Sequence, residues 1–372
     1  MKDFHKIPRE LGDLVVAFRS NASRAQQDGG VNRVRQVMEM VRLRVGPGKL
    51  RPHDYYRMRV YRRGLSSDQK REFVSQGGVG LPRRWGAVAN DKLLCYALLD
   101  HEGVRIPRIH AVCHPLRSFG RQPGLRSVNQ ISEYLRNGAT YPFVSKPVTG
   151  IFSKGVVLVE QLEPDSGLLR VAEGSLIPVK QFAEDCLSRP DGTLFQEVLR
   201  PHPDIAGRIS ERLCTLRLIV LLERDDVRLF RTFWKIASGG NIADNYWHPG
   251  NLIARLDSAG RIEQCTTGIG PDFRIVERHP VSGELLRGFQ VPFYREALDL
   301  TRRAARVFIG IEMQAWDIAV TAEGPVPLEV NDIGSVFLPQ TVEQHGMNDR
   351  EFREFVARTR HWKKTERPSG TL

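Results

Sequence analysis

Apolar and polar positions alternate with a period of two through much of the centre of the chain, and this pattern predicts a series of strands. Residues 143–146 and 155–159 read as two strands around a loop, 147–154, of small and polar residues. Residues 193–199 read as a strand broken by Arg200-Pro201-His202-Pro203. An almost wholly apolar strand at 214–222 is interrupted by Arg217, whose charge needs an anion partner or a place at the strand end. Residues 228–236 supply its neighbour, with Arg231 on one face, and 251–257 a further short strand. At 316–332, WDIAVTAEGPVPLEVND predicts a hairpin, with the turn at Glu323-Gly324-Pro325. There Glu329 and Asn331 share a face opposite Leu328 and Val330, and Asp317 heads the partner strand.

Helical spacing dominates elsewhere. Residues 1–75 read as mainly helical. Val34, Val37, Met38, Val41 and Val45 form one stripe, flanked by Arg33 and Arg44 on one side and Arg35 and Arg42 on the other, and Gly46-Pro47-Gly48 ends the helix. Two placements suit such a helix: packed on the protein body with its arginines in solvent, or lying on an anionic membrane surface. A second helix is expected around 53–63. Asp91 is a helix cap ahead of Leu93, Leu94, Ala97 and Leu98, with Gly103 closing that helix and a strand expected to start at 104–107. A long amphipathic helix is expected at 291–308 and a charged one after Glu351. Residues 77–82, 115–130 and 268–290 read as loops.

Composition sharpens this picture. With 372 residues, 41% hydrophobic and 8% aromatic, the chain can bury the cores of two or three domains and is not a disordered polymer. Its longest apolar runs, 14–18 and 218–222, are too short to span a bilayer, and no secretory signal is visible. The five cysteines are scattered without a CxxC, which favours free thiols in a reducing compartment, so the cytoplasm is the expected location. The net charge of +12 is uneven: residues 1–63 hold 15 Lys/Arg against 6 Asp/Glu, a net of +9, leaving +3 for the rest. This basic segment suits an anionic membrane, at the inner face, or a polyanion. No helix-turn-helix, zinc-finger or aromatic RNA-binding signature accompanies it.

The candidate chemistry lies in the strands. Asp317, Glu329 and Asn331 offer hard oxygen ligands suited to Mg²⁺. The 147–154 loop, bracketed by Lys146 and Lys154, can lay backbone amides and ammonium groups over phosphates, although no GxxxxGK[ST] occurs in the chain. Lysines and arginines that neutralise phosphate, with an acidic set for a metal, suit phosphoryl transfer.

The order of these motifs resembles the ATP-grasp superfamily, and in particular its sugar-transfer-associated branch. The resemblance rests on DKLL at 91–94, VSKPVTGIFSKGV at 144–156, FQEVLRPHPDIA at 195–206 and CTLRLIV at 214–220. It continues through IADNYWHPGNLIARLDSAGRI at 242–262, HPVSGELLRGFQVP at 279–292 and the 316–332 hairpin, and covers roughly residues 45–345 in one unbroken order. It implies an α+β, ATP-grasp fold, two α/β lobes clasping ATP, behind a basic helical N-terminal extension. The divisions expected are the extension at 1–75, a reduced front subdomain at 76–125, a lid at 126–200, a C-terminal lobe with the metal site at 201–350, and a helical tail at 351–372. Lys146 would meet the α- and β-phosphates, and Lys154 with Gly150, Ser153 and Gly155 would close over them. Gln196, Glu197, Val198 and Leu199 would read adenine, and His202 would approach the ribose. Asp317, Glu329 and Asn331 would ligate Mg²⁺, Arg217 and Arg231 would face the γ-phosphate or an acyl phosphate, and Asp244 and Asn245 would line the cleft. Lys92 is expected at the surface. The implied activity is an ATP-dependent ligase joining a carboxylate to an amine, in surface-polysaccharide or glycoconjugate chemistry. A kinase-like phosphotransferase and a catalytically silent basic membrane- or nucleic-acid-binding protein are the alternatives.

Overall fold

The computed structural model of the protein describes residues 6–365, apart from 82–83, 151–153, 165, 173, 225, 242 and 333–335. Four helices begin the chain: α1 (Lys6–Gln27), α2 (Arg33–Val45), α3 (Pro52–Arg57) and α4 (Ser67–Glu72). Asn32 starts α2 by accepting the Arg35 amide at 2.9 Å, and Ser66 with Gln69 forms a capping box on α4. The face that α2 buries is Gln36, Met40 and Leu43, not the valine–methionine stripe. Hydrogen bonds turn it that way. The Gln36 amide donates to the Ala22 and Val31 carbonyls, and its oxygen accepts from the Tyr56 hydroxyl at 2.9 Å. Burying Gln36 without those partners would cost more than the valines gain by turning inward. Behind α3, Tyr55, Tyr56 and Tyr61 are fully buried against one another, the first two ring centroids 5.2 Å apart.

Two short helices follow, α5 (Gly86–Asn90) and α6 (Lys92–His101), the latter capped by Asp91, which accepts from the amides of Leu93 and Leu94. The strand expected at 104–107 begins later, as β1 (Ile109–Cys113). After it come β2 (Gly124–Leu125), α7 (Val128–Asn137), β3 (Phe143–Pro147), β4 (Val157–Glu163), β5 (Leu168–Val171), β6 (Leu176–Pro178), α8 (Val179–Leu187) and β7 (Thr193–Glu197). These strands form one sheet in the order β2-β1-β7-β3-β4-β5-β6. The stretch expected as a separate front unit thus contributes β1 and β2 to the same sheet as the lysine hairpin. Helices α7 and α8 cover one face, packing Ile131, Leu135, Phe182 and Ala183 on Phe143 and Phe195. The pairings Val144↔Gln196 and Lys146↔Leu194 put all four residues on the opposite face, where Leu194 shares a core with Tyr96 and Leu99 of α6.

The remainder is α9 (Pro203–Arg208), β8 (Thr215–Glu223), β9 (Asp226–Ile236), β10 (Leu252–Leu256), β11 (Ile262–Thr267), β12 (Arg274–Val276), α10 (Tyr294–Val307), β13 (Met313–Thr321), β14 (Gly324–Asn331), α11 (Phe337–Glu343) and α12 (Arg350–Thr365). Its strands make a second sheet, β12-β11-β10-β9-β8-β13-β14. Leu216, Leu218, Val220, Trp316 and Ile318 point to one face and pack on Ala297, Ala304 and Ala305 of α10. The other face is divided along the strands. At one end Ile219, Leu221, Phe230 and Met313 are covered by the tyrosine cluster and by Phe337, Phe352 and Phe355 of α11 and α12. The polar residues of the strands lie at the other end. Among the described residues no helix is long and apolar enough to cross a membrane.

Candidate functional site

The polar end of the second sheet is built by register. Arg217 of β8 stands opposite Asp317 of β13, and Asp317 stands opposite Glu329 of the edge strand β14. Thr215 and Lys235 are opposed on β8 and β9. The Arg217 guanidinium grips Asp317 with two bonds, Nε to Oδ1 at 2.5 Å and Nη2 to Oδ2 at 2.8 Å. Lys235 Nζ adds a third at 3.1 Å and reaches Asp244 Oδ1 at 3.4 Å. The other Asp244 oxygen accepts from the Thr215 amide at 2.7 Å and from its hydroxyl at 2.5 Å. Asp317, Arg217, Lys235 and Asp244 are all buried. Asn331 stands beside Glu329, Nδ2 to Oε1 at 3.4 Å.

Two lysines of the first half of the chain converge on the same place. Lys146 of β3 is buried and donates to the Tyr96 hydroxyl at 2.9 Å, and Tyr96 donates in turn to the Leu328 carbonyl of β14 at 2.7 Å. One α-helical turn before Tyr96, Lys92 is buried as well, its Nζ 3.5 Å from the Val148 carbonyl. A surface position for Lys92 is therefore not what the structure gives. Helix α6 clamps the lysine hairpin to the acidic edge strand.

Burial and crowding set the electrostatics. Burial and the charge of Lys92 bring the Lys146 ammonium down to about 7, with Glu329 pulling the other way. Burial and the neighbouring Asp317 charge push the Glu329 carboxyl up. Burial alone would raise Asp317 too, but Arg217 and Lys235 outweigh it and hold that carboxylate well below its usual range. Burial likewise works against the charges of Arg217 and Lys235, yet Asp317 for the first and Asp244 with Asp317 for the second leave both more firmly protonated than usual. The site is thus a desolvated array in which Asp317 is matched by cations while Glu329 beside it is not.

Other expected residues lie elsewhere or act differently. Arg231 is two residues from Phe233 on the same face as Arg217, but its guanidinium pairs with Glu343 and Asp349, each at 3.1 Å, beneath the helical layer. Its charge is spent there, and the second cation beside Arg217 is Lys235. Glu197 accepts from the Arg108 amide at 2.8 Å, whereas the neighbouring buried Gln196 has an Oε1 with no hydrogen-bond partner among the described residues. Val198 and Leu199 are half-buried in the connection to α9. His202 caps α9 by accepting the Asp204 amide at 3.2 Å, and its own amide donates to the Val320 carbonyl. Asn245 is buried, its side chain accepting from the Trp247 amide. Gly150 and Lys154 are exposed at the hairpin tip, and Gly155 has a left-handed φ of 75° with its carbonyl accepting from Arg189. Ser153 lies outside the described residues.

The family described as sugar-transfer associated ATP-grasp matches residues 81–354. The chain belongs to this family. Among solved structures, this ATP-grasp protein is similar to an L-amino acid ligase from Bacillus licheniformis (15% identity, TM-score 0.37, 68% of this chain and 43% of that one). It is also similar to the VanG D-Ala:D-Ser ligase from Enterococcus faecalis (15%, 0.40, 74% and 62%) and to a biotin carboxylase from Campylobacter jejuni (12%, 0.41, 73% and 46%). The chain spans less than half the length of the Bacillus and Campylobacter proteins. No curated protein matches it. The two-sheet α+β architecture agrees with the fold that the sequence resemblance implied.

Proposed function

We propose that this ATP-grasp protein is an ADP-forming ligase that activates a carboxylate as an acyl phosphate and joins it to an amine. The observation that carries the proposal is the convergence of buried Lys92, Lys146, Arg217 and Lys235 on the Asp317–Glu329–Asn331 set at the polar end of the second sheet. Such an array suits a polyphosphate that arrives with a divalent cation. Lys146 and Lys92 contact the α- and β-phosphates, and Lys154 at the hairpin tip closes over them. The free oxygen of Gln196 accepts from the adenine amino group, beside the backbone of Glu197, Val198 and Leu199.

The residues present fit Mg²⁺. The crowded carboxylates Asp317 and Glu329, with the Asn331 amide oxygen, are hard ligands, and Arg217 and Lys235 leave one lone pair on Asp317 Oδ1. Among the described residues no three His, Cys, Asp or Glu side chains form a metal cluster by themselves, so Asp317, Glu329 and Asn331 would hold the ion together with oxygens of the bound nucleotide. A bound Mg²⁺ supplies charge neutralisation between phosphoryl groups.

In the reaction, a carboxylate oxygen of the acid attacks the γ-phosphorus, the bond to the β–γ bridging oxygen breaks, and ADP leaves. The amine nitrogen then attacks the acyl carbon, phosphate departs, and the nitrogen loses a proton. Arg217, anchored by Asp317 but with further N–H donors to spare, and Lys235 stabilise the charge on the transferred group. Glycoconjugate or surface-polysaccharide precursors are the substrate class we infer, from the family's description. The test is ADP release by the purified protein with Mg²⁺-ATP against a panel of amino acids, polyamines and sugar acids, with product masses. An amide with free phosphate supports the proposal. A stable phosphorylated product with no amide selects a phosphotransferase instead.

A further inference from the structure

The helical N-terminal layer carries an apolar stripe that the fold leaves uncovered. On α2, Val34, Met38, Val41 and Val45 are 71%, 60%, 50% and 82% exposed. At 100° per residue these four lie within about 60° of one another, opposite the buried Gln36 and Leu43. Arg35 and Arg42 border the stripe on one side and Arg33 and Arg44 on the other. Beside its C-terminal end is a cavity of about 170 Å³ whose lining includes Arg42, Arg71 and Phe73. An apolar strip edged by cations, on a helix parallel to the surface it forms, is the arrangement of an interfacial helix.

We propose that α2 docks this protein on an anionic phospholipid surface, with the valine–methionine strip in the acyl boundary and the arginines at the phosphates. Charge complementarity selects that occupant. The only acid on α2 is Glu39, whose oxygens are taken by Lys70 Nζ at 2.9 and 2.7 Å, by the Tyr55 hydroxyl at 2.8 Å and by Arg35 Nε at 3.1 Å. A second copy packed strip to strip would set arginines against arginines with no free acid between them. An anionic bilayer meets the same arginines with opposite charge, and the basic excess of residues 1–63 acts in the same direction. The cleft takes no part in this, so docking and nucleotide chemistry are tested separately.

The full chain is the material for the test, because the layer below α2 shares a core with the second sheet. Vesicles of phosphatidylcholine alone are compared with vesicles that also contain phosphatidylglycerol, at low and high salt, by flotation. Wild type floats with the anionic vesicles and loses that binding as salt rises. Val41→Asp lowers it about tenfold or more, and Arg35→Gln with Arg42→Gln lowers it by a similar factor and flattens the salt dependence. Both variants keep the wild-type Mg²⁺-ATP affinity and a melting temperature within about 2 °C of wild type, since Val41 and Arg42 face solvent and the Arg35–Glu39 pair is a partly exposed contact within one helix. Equal flotation with both vesicle types, or binding unchanged by Val41→Asp, overturns the proposal. Self-association of the wild type that Val41→Asp abolishes, without vesicle binding, overturns it in favour of a second copy.

Discussion

Asp317 and Glu329 face each other across one strand pair, yet their charges have opposite consequences for the fold. Asp317 is held ionised by Arg217 and Lys235, so it stabilises the protein above the usual carboxylate range and loses that contribution as pH falls. Replacing it with alanine leaves Arg217 buried without its carboxylate and Lys235 with Asp244 alone. Asp317→Ala is expected to cost roughly 3–5 kcal/mol in a thermal or denaturant melt. Glu329 is pushed up, by burial first and then by Asp317, so its contribution is full at low pH and is lost as pH rises through its folded value. Glu329→Gln removes an anion that the fold tolerates at a cost, and is expected to raise the neutral-pH melting temperature by roughly 1–3 °C while weakening Mg²⁺-ATP binding. Equal destabilisation by the two substitutions contradicts this division. Lys146 supplies a pH test. With a folded value of about 7 against an ordinary 10.5, it is largely neutral at pH 8 in the free protein. Bound polyphosphate favours the ammonium, so binding at pH 8 takes up a proton, and affinity falls as pH rises between those two values. Calorimetry in buffers of different ionisation enthalpy reads this directly. Lys146→Met abolishes the proton uptake and weakens binding by about 10- to 100-fold.

At the scale of elements, the strands explain why one arginine belongs to the site and the other does not. Arg217 is met on its neighbouring strand by Asp317, whereas Arg231 is met by Glu343 of α11 and by Asp349 just ahead of α12. Arg231→Ala is therefore expected to lower the melting temperature by undocking α11 and α12, with Mg²⁺-ATP affinity within about twofold of wild type. A large loss of affinity with unchanged stability would return Arg231 to the cleft. The strand pattern around Arg217, Lys146, Asp317 and Glu329 was readable because period two fixes a side chain's face and a charge in an apolar strand demands a partner. Lys235 carried the same signal, two positions beyond Phe233 and four beyond Arg231, and Tyr96 stood one helical turn from Lys92. Neither stands out until the sheet register and the packing of α6 are known, because those depend on contacts between distant segments. The spacing of α2 left its valine stripe two placements, on the protein body or on a membrane surface. The structure turns the helix the other way because Gln36 finds partners on α1 and α3 that spacing alone does not reveal.

For the molecule as a whole, the N-terminal helices are a structural layer rather than an appendage. Tyr55, Tyr56 and Tyr61 share a core with Ile219, Phe233 and Met313 of the second sheet. Removing residues 1–63 is expected to expose that face and yield aggregated protein, and limited proteolysis of the intact chain should spare α2 and α3 as long as it spares the sheet. Early cleavage within them, leaving a soluble and stable remainder, would show the layer to be dispensable. The same sheet face holds the candidate cleft at its other end, so the layer also supports the strands that set Arg217 and Asp317 in register. Titrating Mg²⁺-ATP into wild type and into folded Glu329→Gln tests whether these residues form a Mg²⁺-dependent nucleotide cleft. Binding to the wild type needs Mg²⁺ and weakens about tenfold or more in the variant. Absence of binding to the wild type, or equal affinity in the two proteins, would contradict it.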